Sequence, residues 1–191
     1  LTSRILAVNF LALALLLGGF YYLDSYRARM VDSSVSKMES QLHLLEKALE
    51  SARPEQRDKL ISDFTRETLS RLRFYEADGR LSFDSFDAAP PTYTLRDPDL
   101  QAWQRDAARA MDRGIDWIVG AEAYPDFYEP KIDQAQSWPE VMEVAQGAAS
   151  ATRVRYAPER TPLISTVRLL NVGAPQTMLM TINDRDITRT V

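Results

Sequence analysis

Apolar residues follow three regimes along this chain, and each predicts a different element. From Ile5 to Leu23 there is no periodicity, only 19 residues without a charge, of which Asn9 is the one strongly polar member. An α-helix needs about 20 apolar residues to cross the hydrocarbon core, so residues 1–23 read as a transmembrane anchor. Tyr21, Tyr22 and Tyr26 cluster where the run ends, as interfacial aromatic anchors do, and Arg4 marks the other flank. A cleaved signal peptide is the rival reading. The run is longer than a typical signal-peptide core, and no small-x-small site precedes the charged stretch Asp24 to Arg29, which favours an uncleaved anchor. Arg4 on one side competes with Arg27 and Arg29 on the other, so local charge leaves the orientation open.

The second regime is a heptad. No Gly or Pro occurs between Phe20 and Arg53, and the helix is expected to continue out of the bilayer over residues 24–53. Ala28, Val31, Val35, Met38, Leu42, Leu45, Leu49 and Ala52 fall at alternating spacings of three and four. Such a seam fits a two-chain coiled coil or a helix lying on its own domain's sheet, and we adopt the dimer as the expectation. With Ala28 at a, the e positions Asp32, Glu39 and Glu46 are acidic while the g positions Ser34, Gln41 and Ala48 are neutral. An antiparallel pair would set e against e, so the pattern favours a parallel homodimer. His43 falls at b, on the outer face. A pH-sensing role is conceivable for an imidazole, but an exposed lone His has little to bias.

After Pro54, Leu60, Ile61, Phe64 and Leu69 give a second, shorter amphipathic helix, with the proline ending the first helix or opening the next. The period then drops to two. Arg71-Leu-Arg-Phe-Tyr-Glu and Arg80-Leu-Ser-Phe-Asp-Ser flank Ala77-Asp78-Gly79, which predicts a hairpin with an Asp-Gly turn. Pro90, Pro91 and Pro98 suggest a rigid linker, followed by a helix carrying Leu100, Trp103, Ala107, Ala110 and Met111 that ends before Gly114. Between Gly114 and Pro139 the chain is aperiodic and rich in aromatics. Trp117, Tyr124, Phe127, Tyr128, Glu129 and Trp138 are the candidate partner or stimulus surface, against the alternative that the aromatics fill the domain's own core. On the first reading Tyr128→Ala with Trp138→Ala weakens partner binding and spares the fold; on the second it costs the fold. A short helix from Pro139 to Gln146 precedes strands at Thr152 to Tyr156, Leu163 to Leu170 and Thr177 to Ile182, completing an antiparallel sheet of about five strands. The fold class is α+β, with residues 54–183 as the folded head. Residues 184–191 look like the start of another helix, capped by Asn183 or Asp184 and unfinished at Val191. The first residue is Leu rather than Met, so upstream sequence is expected too.

Composition narrows the chemistry. Arg4 is the only charged residue before Asp24, so the part beyond the span holds 22 basic side chains against all 27 acidic ones, which argues against a nucleic-acid partner. There is no cysteine and one histidine. Thiolate catalysis, Cys-type zinc sites and multi-His metal sites are thereby excluded, and no cofactor or catalytic residue is assigned. Asp78 and Gly79 lack the carboxylate spacing of a Ca²⁺ loop and are explained by the turn. A membrane-tethered hydrolase could draw on Asp84, Asp87, Asp126 and Glu129, but scattered carboxylates are usually solvated.

The order of elements, and several segments, resemble the input half of a bacterial sensor histidine kinase of the ExoS/ChvG-like alphaproteobacterial family. Leu1-Thr-Ser-Arg-Ile-Leu-Ala-Val-Asn-Phe-Leu-Ala-Leu-Ala resembles that family's first span, and Arg73-Phe-Tyr-Glu-Ala-Asp-Gly-Arg-Leu-Ser-Phe-Asp-Ser its first sensor hairpin. Tyr124-Pro-Asp-Phe-Tyr-Glu with Trp138-Pro-Glu-Val resembles its insertion, and Thr181-Ile-Asn-Asp-Arg-Asp-Ile the approach to its second span. This copy departs by a more acidic insertion and a shorter Pro-Pro linker. The resemblance implies a PAS/PDC-like periplasmic sensor domain between two inner-membrane spans, with residues after about 24 in the periplasm. It also implies a kinase core downstream in the intact two-component protein, envelope-stress or acid signalling, and control by a periplasmic regulatory protein that represses the sensor. These residues contain no H-box, nucleotide-binding Asn box or glycine-rich lid, so the expectation is a sensing region without catalysis of its own. The competing expectation is a ligand-binding module of another receptor, a chemoreceptor or a cyclic-dinucleotide enzyme, because the same plan serves many outputs.

Overall fold

A computed structural model describes residues 2–88, 90–91, 124–158, 161–172 and 174–184. The predicted helix at 100–111, Pro98, Trp117 and residues 185–191 lie outside the described residues.

Helix α1 (Thr2–Ser51) is unbroken for 50 residues, about 75 Å at 1.5 Å per residue. Its first part is long and apolar enough to cross a membrane, and none of that window is buried by the rest of the chain. After the two linking residues Ala52 and Arg53, Pro54 opens α2 (Pro54–Thr68) at its first turn, where a missing N–H costs nothing. Leu69 closes α2 in the left-handed conformation, with φ 52°, and is exposed. Its apolar side chain therefore does not belong to the buried face the periodicity suggested; Ile61, with Leu60 and Phe64 beside it, does.

Five strands form one antiparallel sheet in the order β2-β1-β5-β4-β3. They are β1 (Arg71–Tyr75), β2 (Leu81–Asp84), β3 (Ser150–Tyr156), β4 (Pro162–Val172) and β5 (Ala174–Asn183). The short helix α3 (Ser85–Ala88) follows β2, and a 3₁₀ turn (Ala135–Ser137) leads into α4 (Pro139–Ala145). This is the α+β arrangement expected, a long helix and then a five-stranded antiparallel sheet with flanking helices. The Asp-Gly hairpin forms where the alternation placed it, with Gly79 at φ 86°, a conformation that suits glycine.

The sheet buries a different set on each face. On one, Leu72 and Phe74 of β1, Met178 and Met180 of β5, and Ile164 and Leu170 of β4 meet Met38, Leu42, Leu45 and Leu49 of α1. The heptad seam therefore takes the second of its two possible partners: Val31, Met38, Leu42, Leu45 and Leu49 are buried within the chain, Val35 packs against the same cluster, and Ala28 and Ala52 are half-buried at its ends. Each fully buried aliphatic side chain contributes about 1.5–3 kcal/mol, so stripping this seam from the sheet to pair two helices would cost the head its core. The flanking positions agree. Glu46 accepts a hydrogen bond from Arg168 Nε at 2.5 Å and Glu39 one from the Thr152 hydroxyl at 2.7 Å, while Ser34 donates to Asp184 at 2.6 Å. Residues that a coiled coil would place at e and g here grip strands. His43 stays on the outer face, with its Nδ1 3.2 Å from Glu46.

These three contacts also fix direction. Going up α1, Ser34, Glu39 and Glu46 meet the sheet at levels that β5 passes in reverse order, since Thr152 pairs through Thr166 with Met180 and Arg168 pairs with Met178. Strand β5 therefore runs back along α1 and ends at Asn183, one residue before Asp184, at the end of the sheet where α1 arrives from its apolar half.

Candidate functional site

Strand alternation sends Arg71, Arg73 and Tyr75 to the sheet face away from α1. Taken alone, two arginines at alternate positions describe a solvent-facing edge. Instead Arg73 is 2% exposed and Tyr75 fully buried, because residues 124–138 cross this face as a strap. At one end the strap is stitched to β3: Phe127 N–H donates to the Tyr156 carbonyl at 2.7 Å, and Tyr156 N–H to the Pro125 carbonyl at 2.9 Å. At the other end it joins the hairpin, where Ala135 N–H donates to the Gly79 carbonyl at 2.9 Å.

Between these stitches lies a charge cluster. Arg71 donates to both oxygens of Asp84, at 3.0 Å from Nε and 2.5 Å from Nη2, and to Glu129 Oε1 at 2.5 Å from Nη1. Arg73 lies 3.2 Å from Asp133, 3.6 Å from Asp84 and 3.7 Å from Glu129, with its guanidinium 4.7 Å from the Trp138 ring centre. Asp133 also accepts the Tyr75 hydroxyl at 2.6 Å and the Trp138 indole N–H at 2.8 Å. Burial and donation to Asp133 push the Tyr75 phenol far above its ordinary pKa, so it stays a donor. Burial alone would raise the Asp84 carboxyl. The Arg71 hydrogen bonds, the Phe86 N–H and the Arg73 charge outweigh it and hold the group below its usual range.

A second ion pair, its carboxylate fully buried, sits beyond Trp138. Glu140, fully buried at the start of α4, accepts two hydrogen bonds from Arg155 at 2.7 Å each and one from the Ser165 hydroxyl at 2.5 Å. Arg155 lies 6.0 Å from the Trp138 ring centre, so that ring has a guanidinium from each pair as a neighbour.

The aromatic residues singled out from sequence divide. Trp138 is 1% exposed and stacks on buried Phe127 at 5.7 Å, within a cluster that includes Val141, Val144, Leu163, Val167 and Leu179. These two are core and not a partner surface, because the strap's aromatic side turns inward to cover the sheet. Tyr124 is half-buried, edge-on to Tyr156 at 5.6 Å. Tyr128 stays on the surface, 71% exposed, and Glu129 reaches from it to the two arginines. Of the carboxylates considered for hydrolysis, Asp87 and Asp126 are exposed, while Asp84 and Glu129 share Arg71. Among the described residues no three of His, Asp and Glu converge as metal donors. Sequence reasoning missed Arg71, Arg73, Asp133, Glu140 and Arg155. Their signal was the carboxylate-rich strap itself, which needs cations opposite it if it is to be buried.

Residues 1–56 match the family model described as a sensor N-terminal transmembrane domain. The chain thus carries a sensor-type membrane anchor. The matched segment takes in all of α1 and ends within the first turn of α2. It describes a sensor region and not a catalytic domain. No curated protein matches the chain. Together with the uncharged start of α1, the match makes this a membrane protein whose anchor and head share one helix.

Proposed function

We propose that this chain is the stimulus-sensing and signal-transmitting region of a membrane-bound sensor histidine kinase, with its head in the periplasm and its anchor in the inner membrane. The observation that carries the reading is the continuity of α1: the helix predicted to sit in lipid is the one whose later turns pack into the core on one face of the head's sheet. A change in the head that tilts or slides the sheet moves α1 as a rod, and a packed interface of this kind shifts between discrete arrangements. The return of β5 to the entry point of α1 favours a second connection to the membrane beside the first. Parallel pairing of two copies belongs to the proposal, and with the seam filled by the sheet it falls to the span and the opposite side of α1. A periplasmic regulatory protein is proposed as partner at Tyr128, the exposed aromatic of the strap.

Insertion tests the rod. One residue added between Tyr26 and Arg27 rotates the span by about 100° relative to the head, and seven residues restore the phase to within about 20°. In the full-length receptor, measured with a reporter of the phosphorylated regulator, the single insertion is expected to lock or abolish the response and the seven-residue insertion to recover it. Unchanged output from the single insertion would remove the proposal's basis. The alternative, a chemoreceptor or cyclic-dinucleotide output on the same input plan, is separated by reading the coding sequence downstream of Val191.

A further inference from the structure

We propose that Arg71 and Arg73 form the floor of a binding site for a small carboxylate, and that Glu129 of the strap is its internal occupant. The first observation is an incomplete cation. Arg73 is 2% exposed, yet its Nη1 is buried with no hydrogen-bond partner among the described residues, and its Nε faces Asp133 at 3.2 Å without hydrogen-bond geometry. Leaving a buried donor unmade costs about 1–3 kcal/mol, so a fold retains such a group where something else uses it.

The second observation is how unequally the three carboxylates around the arginines are held. Asp84 is clasped by Arg71 and by the Phe86 N–H, and Asp133 by Tyr75 and Trp138. Glu129 has one short contact, to Arg71 Nη1, stops 3.7 Å from Arg73 Nη2, and is 47% exposed. It is the member that can leave. Replacing it by another carboxylate conserves the cluster's charge, and a carboxylate free of the strap can keep the Arg71 contact while closing the 3.7 Å gap to Arg73 Nη2, making paired charge-assisted hydrogen bonds. The near-complete burial of Arg73 admits only a group of a few atoms, which favours a small acid over the side chain of a protein partner. Phosphate would bring additional charge beside Asp84 and Asp133.

The inference rests on the sensor reading only for its consequence, release of the strap. Its test is binding to the purified full chain in lipid nanodiscs, so a failure here leaves the insertion experiment untouched. Thermal unfolding is followed with millimolar acetate, succinate or phosphate against chloride at matched ionic strength. We expect a saturable rise with acetate or succinate that exceeds the chloride control and the phosphate arm. Glu129→Gln, which removes the competing charge from an exposed site, is expected to lower the apparent Kd about tenfold. Arg71→Gln is expected to abolish the rise, and Arg71→Lys, which keeps the charge, to weaken it. The proposal is overturned if neither acid acts beyond chloride, if phosphate equals them, or if Glu129→Gln leaves the affinity unchanged.

Discussion

Trp138→Ala is expected to destabilise the head by about 3–5 kcal/mol, the usual cost of emptying a buried aromatic site. Against a typical domain stability of about 5–15 kcal/mol that is a large share. The side chain is 1% exposed, stacks on Phe127, covers the Arg73 guanidinium and donates its N–H to Asp133. Removing it leaves a cavity, uncovers a buried cation and takes one of the donors from a carboxylate. Tyr128→Ala, on the outer side of the same strap and 71% exposed, should stay within about 0.5 kcal/mol. Urea unfolding of the detergent-solubilised chain, followed by circular dichroism, separates the two. Equal midpoints for both variants would mean that the strap does not cover the sheet as described.

Glu140→Gln should cost up to about 3 kcal/mol, because it keeps the shape but leaves the largely covered Arg155 guanidinium without its countercharge. Replacing Arg155 by Met in the same chain is expected to recover part of that loss, since two neutral groups are cheaper here than one orphaned ion. The pair also sets a direction for acid sensitivity of the fold. Burial would raise the Glu140 carboxyl, but the hydrogen bonds from Arg155 and Ser165 prevail and lower it below 4.5. A carboxyl with a depressed folded-state pKa contributes stability that is complete above its unfolded value and is lost as pH falls through the folded one. Asp84 shifts the same way. Stability should therefore hold through neutral pH and decline below about pH 4.5, with a shallower acid limb in Glu140→Gln. A variant whose acid limb matches the parent's would show that Glu140 does not titrate with unfolding.

How much of this was legible in the sequence depends on whether the deciding contact was local. The Asp78-Gly79 hairpin, the helix boundary at Pro54 and the strand-like runs of β3, β4 and β5 are local statements, and the structure follows them with strand ends differing by a few residues. The seam of α1 was legible as a stripe but not as an interface, because alternating spacings of three and four specify an apolar line and say nothing of what covers it. Glu39 and Glu46 looked like coiled-coil flanks; their partners, Thr152 and Arg168, are 113 and 122 residues away. Arg73 failed for the same reason. Its place in a period-two run assigns it a face, and only the strap, whose Glu129 and Asp133 each lie 58 residues from the β1 side chain they bind, turns that face into an interior.

The place of β5 in the sheet has a mechanical meaning. It is the last strand of the head and also its middle one, hydrogen-bonded to β1 on one side and β4 on the other. A tug on its far end at Asn183 would load both ladders lengthwise, so their bonds would have to shear together and could not unzip one at a time. Strand β5 itself is therefore a stiff link, and a pull along it reaches the whole sheet before any single strand gives way.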